Sequence, residues 1–152
     1  MHHHLIDTMA FEPVYMVWDL YDGVRSGLAS YGGAPHYFEC ELDQVQGGYA
    51  ERYLLWPIDQ KLLTLATEQW QIYRAWEMSF HLGEVPIETH PGYRGQSPRY
   101  DELQDQIDRH LSSRGTSAHR ALADFRPIGD QPDLPAGCLR EMEVEWGPVC
   151  PP

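Results

Sequence analysis

Asp19, Asp22, Arg25, His36 and Glu39 fall within one stretch, residues 14–42, which reads VYMVWDLYDGVRSGLASYGGAPHYFECEL. A carboxylate, a guanidinium and an imidazole on neighbouring strands can hold a small anion or move a proton. The same residues have a plainer use. Asp22 can serve a turn, and Arg25 can make a cross-strand ion pair with Asp19 or Glu39. If that pair is exposed, Arg25→Lys should cost under about 1 kcal/mol.

A second set, His36, Cys40, His81 and His90, offers imidazole and thiolate ligands of the kind zinc takes. His36 and Cys40 share a strand face, and Glu77 and His81 sit one helical turn apart. These spacings match no zinc signature, and the Glu77–His81 pair lacks the second histidine of H-E-x-x-H. The expectation is therefore no metal and no cofactor. His81 then serves as a helix C-terminal histidine that offsets the macrodipole. Ser26 lies in R-S-G, which is no nucleophile elbow. Cys40 reads as a small buried hydrophobe. The chain holds no P-loop, dinucleotide fingerprint or EF-hand loop.

The elements that must position these groups follow from periodicity. Residues 14–21, 25–31 and 35–42 read as three strands joined by the turn signals Asp22-Gly23 and Gly32-Gly33. In the third strand His36, Phe38, Cys40 and Leu42 share one face, and Tyr37, Glu39 and Glu41 the other. Residues 49–56 make a fourth strand. Asp59 is the N-cap of a long helix, and Gly83 is its stop. Its apolar stripe runs through Leu62, Leu65, Ala66, Gln69, Ile72, Tyr73, Trp76 and Phe80. Lys61, Glu68, Gln71, Arg74 and Glu77 fall on the opposite face. A Pro/Gly-rich connection carrying His90 leads to a second helix, with Ser97 as N-cap and Pro98 at its first position. Residues 120–127 and 138–146 alternate as two more strands.

Composition bounds the function. Hydrophobic residues are 42% and charged residues 22%, a globular balance. The formal net charge is −12, so phosphate backbones and anionic membranes repel the chain. A basic protein partner would instead be steered towards it. The three cysteines, Cys40, Cys138 and Cys150, show no C-x-x-C spacing. A reducing cytoplasm suits them better than a disulfide framework. The N-terminus is expected to be no signal peptide, and His2–His4 look like a tag remnant or a translated leader.

The runs WDLYDGVRSGLASYGGAPHYFE and EQWQIYRAWEMSFHLGE, with a downstream His90-Pro91, resemble short bacterial proteins with no established activity. The resemblance implies a bacterial cytoplasmic protein and carries over no catalytic residue.

Together these readings predict an α+β protein: an antiparallel sheet of about five strands, with the long helix and the shorter one packed on one face. Residues 1–13 are expected to be a disordered leader or tag remnant, 14–146 a single domain and 147–152 a loose tail. The expected role is a small accessory or binding protein, a monomer or weak homodimer. Its surface would combine Asp19, Asp22, Arg25, His36, Glu39, His81 and His90, and it would contact a basic protein. The alternative is an enzyme or small-ligand binder with an Asp/Arg/His pocket by the first hairpin.

Overall fold

The structure, a computed structural model, describes residues 10–116 and 118–149. Most of the expected leader, with His2–His4, and the end of the tail, with Cys150, lie outside them. Six strands form: β1 (Glu12–Leu20), β2 (Val24–Tyr31), β3 (Ala34–Leu42), β4 (Tyr49–Pro57), β5 (His119–Pro127) and β6 (Met142–Pro148). Each pairs antiparallel with the next, and β6 returns to β1 through Glu12↔Val144 and Pro13↔Glu143. The result is a closed barrel. This corrects the expected open sheet with helices on one face.

The cause of closure is local. β1 shifts register against β2 at three places. At one of them Gly27 lies against Val17, and a Cβ on it would stand 2.2 Å from the Met16 carbonyl oxygen. Bulges and a close backbone approach increase strand twist and coil the sheet until its edges meet. Side chains fill the lumen. Phe38 on β3 and Trp146 on β6 meet at 5.8 Å between ring centroids, although their strands lie on opposite sides of the six-strand ring. Tyr53 and Phe125 complete this edge-on aromatic cluster.

The described residues divide into two compact units. The barrel comprises residues 10–58, 115–128 and 141–149, and the helical unit residues 59–114 and 129–140. In the helical unit, α1 (Gln60–His81) packs on α2 (Pro98–Ser112). The Asp59 side chain accepts a hydrogen bond from the Leu62 amide at 2.9 Å, and Ser97 caps α2 through the Tyr100 amide. Gly83 ends α1 with a φ of 77°. The buried line on α1 is Leu62, Ala66, Gln69 and Glu77, so Glu77 lies on the inner face rather than the outer one. Trp76 is half-buried; its Nε1 donates to Thr89 Oγ1 at 2.8 Å, and its ring lies 4.4 Å from that of His90. Among the described residues no helix is long and apolar enough to cross a membrane.

Candidate functional site

The first hairpin places its polar residues on two faces. Asp19, Ser26 and Glu39 are paired across β1, β2 and β3, so their side chains share a face. Asp19 accepts from Ser26 Oγ at 2.8 Å, and Glu39 from the Tyr37 hydroxyl at 2.7 Å. Arg25 is one residue before Ser26 and points the other way, into the end of the lumen. Its partner is therefore neither Asp19 nor Glu39.

Arg25 is only 6% exposed, which also removes the premise of an exposed ion pair. Its Nε donates to the Tyr21 carbonyl at 2.8 Å, and Nη2 to the Asp22 carbonyl at 2.5 Å. Nη1 donates to Glu51 Oε2 at 3.1 Å and meets Cys40 Sγ at 3.6 Å. The guanidinium lies 4.1 Å over the Tyr49 ring. Arg25 thus ties the β1–β2 turn to the start of β4. Glu51 reaches it from a register shift between β3 and β4, with a left-handed φ of 62°. That conformation is uncommon outside glycine. Nothing in the alternation points to Glu51, because a bulge leaves no mark there.

The two loops that Arg25 joins make an exposed apolar rim. Leu20 is 60% exposed, Tyr21 71%, Leu42 60% and Val45 92%. Tyr21 and Tyr49 stand 6.5 Å apart by ring centroids, which places the loops side by side. Asp43 fixes the second loop by accepting from the Val45 and Gln46 amides, and these bonds hold its carboxyl below the usual range.

His36 lies four residues from Cys40 along β3, roughly 13 Å from the Arg25 end. Its Nδ1 is 2.9 Å from the Ala34 carbonyl, and its ring meets Tyr31 edge-on at 5.1 Å. Glu12 secures this end by accepting from Ser30 Oγ and from the amides of Gly32 and Gly33. Asp19, Arg25 and His36 therefore do not converge.

His81 and His90 belong to the helical unit. The His90 ring packs among Tyr73, Trp76 and Tyr93, and its Nδ1 accepts from the Gly92 amide at 2.8 Å. His81 instead joins Glu77 and Cys138. Cys138 is buried, and burial foremost, with Glu77 adding, pushes its thiol up from the ordinary range. Residues 138–141 precede β6 rather than forming its start; the Leu139 amide is held by Glu77 Oε2 at 2.8 Å. No family model, curated protein or solved structure matches this chain.

Proposed function

We propose that this chain is a binding protein whose barrel rim engages a basic segment of a partner protein. The observation that carries the reading is the rim itself. Leu20, Tyr21, Leu42 and Val45 are exposed at the β1–β2 turn and the β3–β4 connection, and the buried Arg25 fastens that turn to the start of β4. Exposed apolar groups on a fixed frame are the type of surface that partners bury.

Charge sets the partner's chemistry. Over residues 1–58, 115–128 and 141–152 the sequence has twelve acidic residues against four basic ones, giving −8 of the total −12. All four arginines there are already on carboxylates: Arg25 on Glu51, Arg52 and Arg120 on Glu41, and Arg126 on Glu143. Asp19, Asp22 and Asp43 flank the apolar rim and favour a lysine- or arginine-bearing segment. The same surplus disfavours nucleic acid and anionic lipid. Cys40 and Cys138 are free buried thiols, which suits a reducing cytoplasm. The rim alone is small, so we expect a monomer or weak homodimer that binds in trans. The small-ligand reading has less support, since Asp19, Arg25 and His36 are apart and Arg25 is occupied.

The test compares partner capture from the host by the native chain, by Val45→Asp and by Leu42→Asp, with cross-links mapped by mass spectrometry. The reading expects a partner cross-linked through a basic segment near the rim, lost in both variants and weakened by salt. Equal capture by the variants, or cross-links confined elsewhere, would refute it.

A further inference from the structure

We infer that Glu77, His81 and Cys138 form a binding site for a single zinc-type cation. A carboxylate oxygen, an imidazole nitrogen and the Cys138 sulfur all lie within 4.8 Å of one another. Glu77 and His81 are four residues apart on α1 and so project from the same side of the helix. Cys138 comes from the 129–140 segment, about sixty residues away in sequence but within the same compact unit.

The segment is built onto the helix at this point. The Leu139 amide donates to Glu77 Oε2 at 2.8 Å, and Cys138 Sγ lies 3.8 Å from the Glu77 carbonyl oxygen. Gly137 has a φ of 95°, and a Cβ on it would stand 2.6 Å from His81 Nδ1. Only a glycine lets the segment pass this close to the imidazole while the next residue delivers its sulfur. Glu77 is 3% exposed and Cys138 8%, whereas His81 is exposed. Two ligands are thus held by burial, and the third stands at the entrance.

The donor set selects the ion. Sulfur and imidazole exclude calcium and magnesium, which take oxygen ligands. One thiolate, one imidazole and one carboxylate suit zinc, with a fourth position left for water. Arg74 Nη1 on Glu77 Oε1 at 2.5 Å, together with the Leu139 amide, supplies the outer contacts that orient a ligating carboxylate.

The experiment uses the full chain with His2, His3 and His4 changed to alanine, so that imidazoles outside the site do not compete for metal. Zinc is titrated against a chromophoric chelator, and cobalt(II) is substituted as a spectroscopic probe. The inference expects one equivalent of zinc and a thiolate-to-cobalt charge-transfer band. Cys138→Ser should abolish the band, and His81→Ala should weaken zinc binding by about tenfold or more. His81 is exposed and serine is close in size to cysteine, so both variants keep the fold, as circular dichroism checks. Absence of stoichiometric zinc overturns the site. So does uptake that is unchanged in either variant.

Discussion

In the barrel, Phe38, Leu55 and Val144 are sealed among aromatic rings, and the buried cation Arg25 spends its donors on two carbonyls, Glu51 and Cys40. In the helical unit, the buried line on α1 is Leu62, Ala66, Gln69 and Glu77, half of it polar. Gln69 donates to Gln104 Oε1 at 2.8 Å, and Glu77 accepts from Arg74 and Leu139. Among the described residues no buried side-chain nitrogen or oxygen lacks a partner, so both solutions are satisfied. They differ in what is left over. Arg25 has ligands on every side and holds a frame. Glu77 is a carboxylate with an imidazole and a thiol beside it, which leaves it chemistry to do. Buried charge therefore marks structure in one unit and a candidate site in the other, and the number of neighbours able to bind a third party separates the two cases.

The harshest test of the barrel is Gly27→Ala. The new methyl would meet the Met16 carbonyl oxygen at 2.2 Å and the Val17 Cα at 3.1 Å, and both are backbone. Neither can swing aside as a flexible side chain would. We expect a loss of about 3 kcal/mol or more in denaturant unfolding. A variant within about 1 kcal/mol of the native protein would mean that β1 and β2 do not approach as described.

Arg25→Lys sharpens the comparison. A lysine cannot reach the Tyr21 carbonyl, the Asp22 carbonyl and Glu51 together, so the buried cation at this position loses most of its hydrogen bonds. The expected cost is about 2–3 kcal/mol. Arg99→Lys is the control in the helical unit. Arg99 bridges Glu68 and Glu102 at the surface, and its replacement should leave the unfolding midpoint within error. Equal effects at the two positions would erase the distinction between a buried rivet and a surface bridge.

Much of this framework was legible in the sequence. Asp22-Gly23 turns with φ of 53° and 120°, and Asp59, Ser97, Pro98 and Gly83 bound the helices as their chemistry dictates. Barrel closure was not legible, because period-two alternation reports which face a residue occupies and not how the sheet coils. It rests on register shifts in β1 and on two pairs made by Glu12 and Pro13. Glu77 is hard to place from sequence because a carboxylate at the edge of a helical stripe reads as solvated until its contacts with the half-buried Arg74 and the Leu139 amide are known. Cys138 alternates with its neighbours as a strand would, and only the contact with Glu77 marks it as part of the helical unit. Of the residues singled out by type, His81 reached a cluster of candidate ligands. Arg25, His36 and His90 took up packing roles.

The smallest effect concerns alkaline pH and compares a buried phenol in each unit. Burial foremost, with Glu77 next, pushes the Tyr73 hydroxyl up to about 12. In the barrel, burial foremost and then Cys40 raise Tyr53, whose hydroxyl donates to the Val24 carbonyl at 2.6 Å. A raised phenol keeps its proton in the folded chain after the unfolded chain has lost it. Between about pH 10 and pH 12 the unfolded state therefore binds fewer protons, and stability falls as pH rises. The Tyr73 contribution is fully present below about pH 10 and is lost as pH passes through about 12. Tyr73→Phe removes this titration and, at neutral pH, only a hydrogen bond of 3.4 Å to Glu77 Oε2. Its stability at pH 7 should lie within about 1 kcal/mol of the native protein. Its decline above about pH 10 should be shallower. Tyr53→Phe should flatten the same limb, but lose more at neutral pH, because the Val24 carbonyl is then left without its donor. Urea midpoints measured across this range for the three proteins decide the matter. Parallel curves for Tyr73→Phe and the native chain would show that Tyr73 titrates as an exposed phenol, and that α1 does not bury it against Glu77.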